Sequence, residues 1–187
     1  MRPSKLFAST DSSSRAVEER FACSSHAQKW LFPSRTDLHR AYDDANRRVG
    51  LALTPEETAA CATVWSSKAW HCAQELGRSP SVCATAALFV QRFYTRIAFT
   101  DRKPNWVAPA CVLLAVKAQE GFTYDMPLAR IVDKLSADAR MQDGELAAEE
   151  ALVLQALDYD LLVYLPVDAI DRFTEDFMEC AQLAKPA

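Results

Sequence analysis

Apolar positions recur along most of this chain at helical spacing. Leu38, Tyr42, Ala45 and Val49 fall at i, i+4, i+7 and i+11, one narrow stripe that Gly50 ends, which predicts an N-terminal helix over 36–50. A second helix begins at Thr54-Pro55-Glu56-Glu57, where Thr54 caps, Pro55 takes the first helical position and Glu57 completes a capping box. Cys61, Val64, Trp65, Ala69, Cys72 and Leu76 then line its expected buried face up to Gly77. The segments from Ser81 to Phe99 and from Pro104 to Gln119 are apolar nearly all round, the mark of helices in the middle of a bundle. Pro109 is expected to bend the latter or to mark its true first turn. Leu128, Ile131, Val132 and Leu135 predict a short helix, followed by one from about Gly144 to Leu161 and a last from Pro166 to about Leu183.

Composition supports an all-α bundle. Apolar residues make up 50% and charged residues 25% of 187, and only 4 glycines occur, which disfavours hairpin-rich sheets. No run reaches the length of a membrane span, and the polar start does not read as a signal peptide. Six cysteines lie mostly inside apolar helical patterns, so a reducing compartment, cytosol or nucleus, is expected.

Charge is uneven. The net is −4, but residues 1–35 carry six basic against three acidic residues, which leaves the remainder at −7. An acidic body suits a protein partner better than nucleic acid. The first 35 residues, rich in Ser, Thr and charge, read as a largely disordered basic head.

Catalytic chemistry is not visible. The three histidines, His26, His39 and His71, form no metal-ligand spacing, and Cys23-x-x-His26 is half a zinc site without a second half. The adjacent carboxylates of Asp43-Asp44, Glu56-Glu57 and Glu149-Glu150 diverge on a helix and cannot flank a scissile bond. There is no phosphate-binding glycine loop and no nucleophile elbow, so neither a cofactor, a metal nor an enzyme activity is expected. Two charges do stand on apolar surfaces. Lys117 follows Leu113 and Leu114 at i+4 and i+3; Glu150 precedes Val153, Leu154, Leu157 and Leu161 at i+3, i+4, i+7 and i+11. Read singly, Lys117 complements a helix C-terminus before Gly121, and Glu150 is an acid in a first or second turn.

Three segments carry a resemblance. Val107-Ala-Pro-Ala-Cys-Val-Leu-Leu-Ala-Val-Lys117-Ala-Gln-Glu120 resembles the third helix of a cyclin box, with its Leu-Ala-x-Lys-x-x-Glu ending. Residues Val82 to Arg96, with Arg92-Phe93-Tyr94, are similar to the second box helix, and Glu150 to Leu161 to the fifth. Ser24-Ser-His-x-x-x-Trp30 and Leu162-Val-Tyr-Leu-Pro166 are like the C branch of the transcription-type cyclins, and Asp44-Ala-Asn-Arg-Arg48 like the H branch.

The resemblance implies an all-α, five-helix cyclin box over 51–165 with an additional N-terminal helix over 36–50, and a truncated second box beginning at 166–187. It implies a nuclear regulatory subunit that binds and activates a cyclin-dependent protein kinase in transcription, within a larger transcription complex. In the family the Lys and Glu matching Lys117 and Glu150 pair at the kinase-binding surface, near the kinase's regulatory helix. Lys117, Glu120, Phe122, Glu150, Leu154, Leu157 and Leu161 are the expected kinase-binding residues. The competing expectation is a single-box scaffold or transcription adaptor without kinase activation; a truncated cyclin that binds without activating is a third.

Overall fold

Capping chemistry sets the helix boundaries. In the computed structural model, which describes residues 18–50, 53–120, 131, 143–166, 170, 173–174 and 177–178, a π-helical turn at His26–Trp30 precedes α1 (Arg35–Arg47), α2 (Pro55–Glu75), α3 (Pro80–Tyr94), α4 (Pro104–Glu120) and α5 (Asp143–Ala156). Thr54 Oγ1 accepts from the Glu57 N–H at 3.2 Å while Glu57 Oε2 accepts from the Thr54 N–H at 2.9 Å, the capping box read from the sequence. At the other end of α2, Gly77 takes φ +71°. Its N–H and that of Arg78 then reach the Gln74 and Ala73 carbonyls at 2.9 and 3.0 Å, closing a Schellman motif that only a left-handed residue permits without strain.

α3 and α4 form the centre. Val82, Ala86, Phe89, Val90 and Phe93 of α3 are buried, as is every residue of α4 from Val107 to Val116. α2 packs on both of them, α5 packs on α4, and α1 packs on α2. The helix with no polar face is therefore interior, as its pattern requires. Pro109 lies within α4, whose first turn is at Pro104, so it does not mark the helix start.

Four expectations differ from what is seen. The buried face of α2 is the small-residue stripe Thr58, Ala62, Ser66, Ala69, Cys72 and Ala73, while Val64 is 53% exposed and Cys61 and Trp65 are half-buried. Close approach to α3 selects small side chains over large apolar ones, and the Ser66 hydroxyl is satisfied by donating to the Ala62 carbonyl at 2.7 Å. α3 ends at Tyr94, not Phe99; Thr95 donates its hydroxyl to the Arg92 carbonyl at 2.6 Å, and Tyr94 and Phe99 stack at 3.5 Å across the turn. α5 ends at Ala156, not Leu161, because Asp158 and Tyr159 take φ +57° and +56°. Their N–H groups bond the Gln155 and Leu154 carbonyls, the same motif that ends α2.

The fourth difference is in the head. Within 1–35, residues 18–35 are described, and His26 and Trp30 are buried, so the expectation of a largely disordered head fails for that half. Its apolar and polar anchors lie far along the chain, which no local pattern reveals. The helix expected around Leu128 to Leu135 lies outside the described residues except Ile131, which is helical and buried. In the last expected helix, Ile170, Phe173, Thr174, Phe177 and Met178 are helical and exposed.

Candidate functional site

The last turn of α4 and the second turn of α5 bring two opposite charges together. Lys117 Nζ donates to Glu150 Oε1 and Oε2, both at 2.7 Å, with side chains 31% and 16% exposed. Each isolated explanation, helix-end cation and early-helix acid, leaves this geometry unaccounted for. The pair sits where the apolar surface of α4 meets that of α5, so it is only partly screened by water.

Around it, the expected residues divide. Leu154 and Leu161 are half-buried, packed at the margin of the core. Leu157, by contrast, is 0% exposed in the core beside Val153 and cannot contact a partner, so it leaves the expected docking set. Its i+7 spacing from Glu150 places it on the same stripe, but that stripe is broad enough for one edge to face inward. Glu120 is tied within the chain: Arg78 Nη1 donates to its Oε2 at 3.1 Å, and the Ser79 N–H to its Oε1 at 3.5 Å. Beside it, Gln119 Nε2 donates to Thr85 Oγ1 at 3.0 Å. These bonds fix the end of α4 against the start of α3 and so help to place Lys117. Phe122 lies outside the described residues.

A second cluster escaped the residue-by-residue reading. Arg92, buried on α3, donates to the Leu162 carbonyl at 3.1 Å and to His26 Nδ1 at 3.0 Å. The Tyr164 N–H also donates to His26 Nδ1, at 3.0 Å. Two donors on one ring nitrogen require a neutral imidazole with its proton on Nε2. Burial and then the Arg92 charge hold the His26 pKa below its ordinary value, against a smaller opposing effect of Asp160. Burial likewise brings Arg92 down to about 10, with Asp160 opposing.

Asp160 completes the clasp. It accepts from Ser25 Oγ at 2.8 Å, Trp30 Nε1 at 2.9 Å and the Leu162 N–H at 3.2 Å. Burial works to raise its pKa, but these bonds and Arg92 together keep it below the usual carboxylate value. The Arg92 and Arg96 guanidinium groups each lie 5.0 Å from the Trp30 ring centre. The clasp thus joins the turn before α1 to the segment after α5. The signals that could have found it were one arginine in an otherwise apolar helix and the Ser24-Ser-His…Trp30 string.

Comparison with known proteins gives this geometry a family. The model of the cyclin N-terminal domain matches residues 69–162, from within α2 through α5 to the Asp160 segment, and includes both Lys117 and Glu150. The chain belongs to the cyclin family. The cyclin Cyclin-C1-2 of Arabidopsis thaliana is 35% identical over 106 residues, 56% of this chain and 42% of that one. Cyclin-C1-1 of rice is 32% identical over 127 residues, 66% of this chain and 49% of that one. Cyclin-H1-1 of Arabidopsis is 29% identical over 100 residues, 53% of this chain and 27% of that one. This cyclin therefore spans about half the length, or less, of these relatives. A chain in the structure of the CAK complex of Chaetomium thermophilum bound to ATP-γ-S superposes with a TM-score of 0.74 at 22% identity, covering 92% of this cyclin and 56% of that chain. The all-α cyclin-box fold expected from the sequence is thereby established.

Proposed function

We propose that this cyclin is the regulatory subunit of a cyclin-dependent protein kinase, acting in the nucleus on transcription within a larger complex. The surface that would do this is centred on Lys117 and Glu150, with Leu154 and Leu161 as apolar neighbours and Glu120 at its edge. One observation carries the reading: the bidentate Lys117–Glu150 contact, seated among apolar side chains where α4 meets α5. Similarity to cyclins named for the C and H types supports the transcriptional assignment. Residues 51–165 would form the docking unit, with 36–50 as an accessory helix and 166–187 as the beginning of a second box.

The mechanism is a population shift. A protein kinase is active when its regulatory helix is turned inward, completing the Lys–Glu pair that positions ATP phosphates, and its activation loop is ordered. A subunit that binds only the inward arrangement favours it by its differential affinity. Moving the two states from 1:99 to 99:1 takes about 5.5 kcal/mol of that difference, within reach of an interface of roughly 1,600 Å². The pair contributes by holding the Lys117 and Glu150 side chains in one geometry, so that less ordering cost remains to be met on binding.

Affinity purification of the tagged chain from nuclear extract tests the reading. A protein kinase of the cyclin-dependent class should copurify and be more active bound than free. Recovery of transcription factors with no kinase would instead favour the scaffold reading.

A further inference from the structure

Beside α5, on a different face from Glu150, a cleft of ≈ 240 Å³ is lined by Asp101, Arg102, Lys103, Trp106 and Glu149. Glu149 forms its buried end. Its side chain is only 4% exposed, yet Oε1 has no hydrogen-bond partner, and Oε2 stands 3.9 Å from Arg102 Nη1, beyond hydrogen-bond distance. A buried carboxylate oxygen without a donor is costly and rare in a native fold, and neither Arg102 nor Lys103, the two cations that line the cleft, donates to it. Burial pushes the Glu149 carboxyl pKa up, against the smaller pull of Arg102, which is what an undercompensated charge should show.

The walls are built rather than loose. Tyr94, stacked on Phe99, donates its hydroxyl to the Arg102 carbonyl at 3.1 Å and so fixes the backbone of the rim. The Trp106 ring offers a flat aromatic wall. A neighbouring groove of ≈ 180 Å³ shares Asp101 and Arg102 with the cleft and continues over Ile97, Leu152 and Ala156. The polar end therefore opens onto an apolar track along α5.

We propose that this cleft and groove are a second docking site, which receives an arginine side chain of a protein partner with apolar residues beside it. The guanidinium supplies the donor that Glu149 Oε1 lacks. Its planar face suits Trp106, and Asp101 adds a second acid at the rim. Ile97, Leu152 and Ala156 take the flanking apolar side chains. Arg102, whose side chain is 44% exposed, and Lys103, which is also exposed, turn to solvent when the site is filled. Glu149 and Glu150 are adjacent on α5 and so point about 100° apart, which leaves the Lys117–Glu150 surface free and makes this inference independent of kinase binding.

The test is a heteronuclear NMR titration of the full chain with the blocked tripeptide acetyl-Leu-Arg-Leu-amide, and with its neutral counterpart in which citrulline replaces arginine. The arginine peptide should shift the Trp106 indole and residues of 101–103 and 149–156. Citrulline, and the variant Glu149→Gln, should each weaken binding by about tenfold. Arg102→Glu, a change at an exposed side chain, should tighten binding by about threefold, and decides the matter if Glu149→Gln does not fold. No shifts at about 10 mM peptide, shifts confined to other faces, or equal binding by citrulline and arginine would overturn the proposal. So would wild-type affinity in folded Glu149→Gln, or unchanged affinity in Arg102→Glu.

Discussion

Lys117 Nζ lies 2.7 Å from both carboxylate oxygens of Glu150, a contact that joins α4 to α5 across 33 residues of sequence. Because both side chains are mostly withdrawn from water, the partner left behind by a single substitution keeps a charge in a poorly solvated place. Lys117→Ala and Glu150→Ala should each destabilise the fold by about 1–2 kcal/mol, less than a fully buried pair because Lys117 retains some solvent. The double variant should cost clearly less than the sum. Urea unfolding followed by circular dichroism measures all three.

Leu157 and Leu154 separate packing from docking. Leu157 is enclosed, so Leu157→Ala should cost about 2–5 kcal/mol in unfolding free energy. Leu154 is half-buried, so Leu154→Ala should cost about 1 kcal/mol while weakening kinase binding by about tenfold or more. Denaturation and binding titrations on the same two variants give the contrast.

The capping box of α2 offers a local test. Thr54→Ala removes the acceptor for the Glu57 N–H, and stability should fall by about 1 kcal/mol. Thr54→Ser should lose only a few tenths.

His26 makes stability depend on pH. Its folded pKa lies below the ordinary 6.5, so between those two values the unfolded chain binds more protons than the folded one. The clasp's contribution is therefore complete above about pH 6.5 and declines as the pH falls through the folded value. Asp160, also lowered, adds a loss of the same sign below the ordinary carboxylate pKa of 3.8, while Glu149, raised, works in the opposite direction. The difference in unfolding free energy between wild type and His26→Gln isolates the histidine: the wild-type advantage should shrink from pH 7.5 to about pH 5.

Much of this was legible beforehand. Helix positions followed from apolar spacing, and the start and stop of α2 from Thr54 and Gly77, because capping is a local matter; α1, by contrast, ends at Arg47, short of the Gly50 expected to stop it. Lys117 and Glu150 were each legible as a charge on an apolar stripe, and their pairing followed from the cyclin-box resemblance and not from the spacing. What was hidden has a common cause. The exposure of Val64, the enclosure of Leu157 and the anchoring of His26 and Trp30 by Arg92 and Asp160 depend on which surfaces meet after folding. The early end of α5 was hidden differently: Asp158 and Tyr159 adopt a left-handed conformation usually left to glycine. Their left-handed geometry gave no signal in the spacing.

The most direct measurement is kinase activation in a purified system. A cyclin-dependent kinase that copurifies with the chain is titrated with wild-type protein, Glu150→Gln and Lys117→Ala, each first shown to be folded. Wild type should raise phosphate transfer to a peptide substrate by at least about a hundredfold, and both variants should lose nearly all of that gain. Full activation by folded Glu150→Gln and Lys117→Ala would contradict the account.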